Sequence, residues 1–107
     1  MLTQELAIEK VKSFVRELIE NGVHIERIYL YGSYSKNCQT KDSDIDLALV
    51  SGEFTGFGFE DRKLLSSVGI KKDYLDIETK TFSTESFTNG NPFYEEIIAT
   101  GIEIVVN

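Results

Sequence analysis

Residues 27–50 read RIYLYGSYSKNCQTKDSDIDLALV, and most of what the chain discloses lies in that pattern. Arg27 to Tyr31 is rich in β-branched and aromatic residues and reads as a short strand. It ends at Gly32-Ser33. Tyr34 to Ser43 is polar, with room for one helical turn and a loop. Asp44 to Val50 reads as a second strand. Its alternation puts Ile45, Leu47 and Leu49 on one face and Asp44, Asp46 and Ala48 on the other. At a rise of roughly 3.3 Å per residue, the two aspartates stand about 6–7 Å apart at the backbone. Their side chains can converge on one cation while the apolar face anchors the strand in a core.

The chemistry of this stretch follows from its parts. A Gly-Ser pair at a strand end lets backbone N–H groups approach an anion, because glycine puts no side chain in the way. The Ser33 hydroxyl adds a donor. A turn over Ser35 to Gln39 brings unpaired N–H groups to the same place, completing a phosphate cradle. Two carboxylates beside a polyphosphate repel it and each other. A hard divalent ion removes that repulsion, and Mg²⁺ suits a few carboxylates plus phosphate oxygens.

Outward from this stretch, helices and strands alternate. Leu6, Ala7, Val11, Phe14, Val15, Leu18 and Ile19 recur at three- and four-residue steps, which predicts a helix after Thr3 as N-cap that stops at Asn21-Gly22. Ser51 to Gly58 reads as a loop. Phe59 to Val68 reads as a helix with Leu64, Leu65 and Val68 on its apolar face. Asp73 to Lys80 reads as a third strand, with Tyr74, Asp76 and Glu78 on one face. Ser83 to Phe87 has the length of a single turn. Asn91-Pro92 opens a helix to about Thr100, since Asn caps and Pro suits the first helical position. Ile102 to Val106 is the last strand. This order favours one α/β sheet covered by helices.

The chain of 107 residues has one domain's length, expected to span 1–107. Its formal charge of −7 argues against gripping long nucleic acid through phosphates. Cys38 has no second cysteine to pair with. No apolar run is long enough for a membrane, and Met1 to Lys10, with Glu5 and Glu9, has no signal-peptide core. The expectation is a soluble, cytoplasmic domain.

On Gly32-Ser33, the ten intervening residues and Asp44-Ile45-Asp46, the chain resembles the polymerase-β-type nucleotidyltransferase superfamily, and by size its minimal nucleotidyltransferases. The resemblance implies an α/β (α+β) fold, with a mixed sheet of about four strands and helices packed on it. It implies that Gly32 and Ser33 hold the β- and γ-phosphates of a nucleotide. Asp44, Asp46 and Asp76 would be the catalytic carboxylates and the ligands of two Mg²⁺ ions. Asp76 is preferred as third acid because apolar Leu75 and Ile77 flank it, and Glu78 is its alternative. The reaction implied is transfer of a nucleotide monophosphate, AMP from ATP, to a protein hydroxyl. The partner implied is a small helical protein of the HEPN type, with the chain as its antitoxin. Two rival readings stay open: an antitoxin acting by contact alone, and an aminoglycoside-type transferase needing a homodimer.

Some residues resist assignment. Family members often carry Arg-Gly after the Gly-Ser; here Lys36-Asn37 stands there, which keeps the positive charge but loses the bidentate fork. Lys36 is therefore a candidate phosphate contact with a solvated lysine as its rival. Cys38 reads as incidental, His24 as a surface residue and Lys71-Lys72 as a solvated turn. Phe54, Phe57 and Phe59 read as loop packing, with a mobile aromatic flap as the alternative.

Overall fold

Helix α1 (Gln4–Glu20) begins where Thr3 Oγ1 accepts the Leu6 N–H at 3.2 Å. The computed structural model describes residues 2–56, 58–88 and 92–106, with only the backbone of Gly58 and Thr88. The α1 stripe buries Ala7, Val11, Phe14, Val15 and Leu18, while Leu6 and Ile19 at its margins stay exposed. The helix ends at Asn21, and Gly22 follows at φ +90°.

Strands β1 (Arg27–Tyr31) and β2 (Ile45–Ser51) pair antiparallel, Tyr31 opposite Asp46 and Arg27 opposite Val50. Helix α2 (Gly58–Gly69) and a 3₁₀ turn (Lys72–Tyr74) lead to β3 (Ile77–Ser83). That strand runs parallel to β2, with Ile77 beside Ile45 and Glu78 beside Asp46. Helices α3 (Thr84–Thr88) and α4 (Pro92–Thr100) follow, then β4 (Ile102–Glu103), antiparallel to β1. The sheet order is β3-β2-β1-β4, so the sheet is mixed, four-stranded and flanked by helices.

Both faces of the sheet are covered. Ile28, Leu30, Ile45, Leu47 and Leu49 pack with α1 and with Leu65 and Val68 of α2. Tyr29, Ala48, Val50 and Phe82 pack with Phe87 of α3 and Ile97 of α4. The aspartate-bearing face of β2 is therefore solvated only at its start; further along, Ala48 and Val50 are core.

The third strand begins four residues later than its alternation suggests. Tyr74 is buried against the Phe14 ring, 5.3 Å between centroids, and its hydroxyl meets Ser13 and Glu17 of α1. That inward turn is the 3₁₀ segment, and it leaves Leu75 68% exposed. The strand face assigned to Tyr74, Asp76 and Glu78 holds only from Glu78 onward. Thr84–Thr88 is a short helix, and the last strand stops at Glu103, although Ile104 still donates to Ile28 O at 2.9 Å. Phe54 is core, as loop packing requires, whereas Phe59 is 76% exposed. Phe57 and the proposed cap Asn91 lie outside the described residues.

Candidate active site

The site sits where β1 ends and β2 and β3 begin. The ladders set Tyr31, Asp46 and Glu78 in one row on one face, with neighbours about 5 Å apart across the strands. Immediately after Tyr31 the chain turns at Gly32, φ +74°. A Cβ there would lie 2.2 Å from Asp46 Oδ2. Glycine is required twice over, by the positive φ and by the carboxylate resting on the bend.

The loop after Gly32 is a run of turns rather than a helix. Lys36 N–H donates to Gly32 O at 3.3 Å and Cys38 N–H to Ser33 O at 3.0 Å. The Ser35 hydroxyl donates to Gly32 O at 2.8 Å, and Asn37 takes φ +55°. Gln4 Nε2 of α1 holds Tyr34 O at 2.8 Å, fixing the loop to the first helix. The N–H groups of Ser33, Tyr34 and Ser35 donate to no acceptor among the described residues. Consecutive amides unspent in this way form an anion-binding concavity.

Electrostatics single out Asp46. It is half-buried, and burial raises its pKa above the usual carboxylate range. The negative charges of Glu78 and then Asp44 raise it further, and Lys80 opposes them. Tyr31 is pushed up to about 12 by burial, then by Asp46 and Glu78. A cluster of like charge therefore lies across the starts of two paired strands, β2 and β3, beside unspent amides.

The sequence-derived acids are not all brought together. Asp44 is exposed just before β2 and acts on Asp46. Asp76 stands just before β3, and its carboxylate takes Lys10 Nζ of α1 at 3.0 and 3.2 Å. Helix α1 packs on the Ile45, Leu47 and Leu49 face, away from Asp46. Glu78, not Asp76, lies in register beside Asp46. Ser33 is half-buried at the bend, and Lys36 is exposed at the rim of a cavity of about 100 Å³ shared with Gly32 and Phe93. Lys80 and Phe93 were not singled out in the sequence; Lys80 follows Glu78 by two residues, so strand alternation would have placed it once the register was known.

The donor set suits Mg²⁺ in chemistry, being carboxylate oxygens only. Among the described residues no three acidic, histidine or cysteine side chains form a metal cage. Mg²⁺ seldom needs one, since one or two carboxylates plus substrate phosphates commonly hold it. His24 is exposed and its Nε2 lies 4.0 Å from Glu26; Cys38 is exposed and unpaired. No helix among the described residues is long and apolar enough to cross a membrane.

The family model described as Polymerase beta, Nucleotidyltransferase matches residues 10–107. The chain belongs to this nucleotidyltransferase family. No curated protein matches it. Its fold is similar to that of a Sulfolobus solfataricus protein assigned as a nucleotidyltransferase, with TM-score 0.67, 17% identity, and 94% of this chain and 80% of that one covered. It is also similar to a chain in a crystal structure of a toxin–antitoxin with AMP-PNP, with TM-score 0.58, 19% identity, and 90% and 73% covered.

Proposed function

We propose that the chain transfers a nucleotide monophosphate, AMP from ATP, to a protein hydroxyl in a Mg²⁺-dependent reaction. The observation that carries this reading is the row Asp46–Glu78 beside the Gly32 bend. The amides of Ser33, Tyr34 and Ser35 would bind the terminal phosphates, with the Ser33 hydroxyl and Lys36 as further contacts. Asp46, with Asp44 and Glu78, would hold Mg²⁺, which when bound supplies positive charge between carboxylates and phosphate oxygens. The acceptor hydroxyl oxygen bonds to the α-phosphorus as the bond to pyrophosphate breaks. Glu78 takes the hydroxyl proton, and pyrophosphate leaves. Positioning and charge complementarity provide most of the acceleration in such chemistry.

Glu78 replaces Asp76 as the third carboxylate in this reading, because the β2–β3 register sets it at Asp46 while Lys10 engages Asp76. The acceptor would be a toxin partner of the HEPN type, with the chain as its antitoxin. Support for a toxin and for ATP comes from the fold's likeness to the toxin–antitoxin chain with AMP-PNP. A contact-only antitoxin is the second reading, favoured by the Lys10 ion pair that engages Asp76, one of the three sequence-derived carboxylates.

Labelled ATP, Mg²⁺ and the product of the neighbouring gene test both. Label on the partner with wild type, and none with Asp46→Asn, supports transfer. Neutralisation by Asp46→Asn equal to wild type, without labelling, supports contact alone.

A further inference from the structure

Strand β3 lies at one end of the sheet, so one of its edges is unpaired by any strand among the described residues. The phase of its ladder is set by Ile45 N–H, which donates to Asp76 O at 2.8 Å. In a parallel ladder, residues alternate between bonding the neighbour and facing away. Glu78 and Lys80 therefore turn their backbone groups to β2. Thr79 and Thr81 turn N–H and C=O outward, where no described residue accepts or donates. Their side chains are occupied differently: Thr81 Oγ1 donates to Asp61 at 2.6 Å.

A cavity of about 540 Å³ runs along this edge. All five residues from Glu78 to Phe82 line it, with Arg62 and Leu65 of α2 on one side and Phe93 and Tyr94 of α4 on the other. Five strand residues span about 16 Å, enough to pair with a five-residue extended segment. Glu78 stands at one end of that span, beside Asp46. The chain carries −7, yet the two cations in this cavity, Arg62 and Lys80, have no carboxylate within ion-pair distance among the described residues. Lys80 Nζ instead lies 5.9 Å from the Phe93 ring centre.

We infer that the β3 edge binds an extended, acidic segment as an added strand. Main-chain hydrogen bonds at Thr79 and Thr81 give the grip, and Arg62 and Lys80 select acidic side chains. That the segment delivers its hydroxyl to Glu78 rests on the transferase reading above; the docking itself does not.

The test is fluorescence anisotropy of a short labelled peptide of alternating glutamate and tyrosine. Three probes are compared: this peptide, its lysine–tyrosine counterpart, and a version N-methylated at alternate backbone positions so that it cannot add as a strand. The expected result is saturable binding of the first, weakened at least about tenfold by either change. Thr79→Pro, which removes one outward N–H without touching the β2 ladder, is expected to lose binding; Arg62→Glu, on α2, to weaken it several-fold. Equal binding of the N-methylated peptide, no binding of the first peptide, or a homodimer that Thr79→Pro dissolves would overturn the proposal. ATP binding measured on the same samples separates the two readings: peptide bound without ATP leaves the edge and removes the transferase, and ATP bound without peptide does the reverse.

Discussion

Gly32 and Asp46 are coupled by contact, and each constrains what can replace the other. In Gly32→Ala the new methyl would meet Asp46 Oδ2 at 2.2 Å from a backbone at φ +74°. We expect a loss of about 2 kcal/mol, seen as a melting temperature lower by roughly 10 °C, together with weakened nucleotide binding. Asp46 itself is a cost to the fold. Its pKa is raised in the folded state, so its contribution to stability falls as pH rises from the ordinary carboxylate value through the folded one. Asp46→Asn is therefore expected to melt higher than wild type at neutral pH and equal to it near pH ~3. A lower melting temperature for this variant at neutral pH contradicts the upward shift that burial and then the neighbouring carboxylates impose on Asp46. Asp61 carries the opposite sign. Burial raises its pKa, but bonds from Thr81, Thr55 and Gly56 outweigh that and lower it. Its stabilisation is present above the ordinary carboxylate range and fades as pH falls through the folded value. These local features differ in legibility. A glycine next to a strand end and two acids at alternate positions form a short-range pattern, visible without coordinates. The contact between Gly32 and Asp46 crosses a strand pair and is not.

At the scale of elements, the segment from Lys71 to Ser83 decides which acid faces the site. Flanking apolar residues suggested Asp76, yet Leu75 is solvent-exposed and Tyr74 belongs to a turn packed on α1. A tyrosine that satisfies its hydroxyl on Ser13 and Glu17 overrides strand alternation, and no local pattern announces such a partner 57 residues away. The consequence is measurable. In the AMP-transfer assay, Glu78→Gln is expected to cost on the order of a hundredfold, the usual scale for a lost general base. Asp76→Asn removes a largely solvated ion pair and is expected to change stability by about 1 kcal/mol or less and turnover by about threefold or less. Loop 52–56 is fastened separately. Asp61 is buried and accepts from the Thr55 N–H at 2.8 Å, the Gly56 N–H at 2.9 Å and the hydroxyls of Thr55 and Thr81. Asp61→Ala strands these donors and is expected to cost about 2–4 kcal/mol in chemical denaturation, with nucleotide affinity retained.

The whole molecule explains why so small a chain can hold a charged site. Both sheet faces are apolar and helix-covered, which leaves β2 rigid up to the residue before Asp46. One sheet covered by helices was legible because β-rich and helical periods alternate cleanly along the sequence, while its mixed, four-stranded form was what the family resemblance implied. The parallel pairing of β2 with β3 was not, because register is set by packing between distant segments. That register is what puts Glu78 at Asp46. A ligand that neutralises this cluster must stabilise the fold by mass action, so ATP with Mg²⁺ at about a hundred times its dissociation constant is expected to add about 2.7 kcal/mol. The central claim is that the Asp46–Glu78 row, not Asp76, binds the nucleotide's metal. Isothermal titration of a non-hydrolysable ATP analogue in Mg²⁺ reads this directly. The account predicts that Asp76→Asn binds as wild type while Glu78→Gln binds at least about tenfold more weakly; wild-type affinity in Glu78→Gln with loss in Asp76→Asn would contradict it.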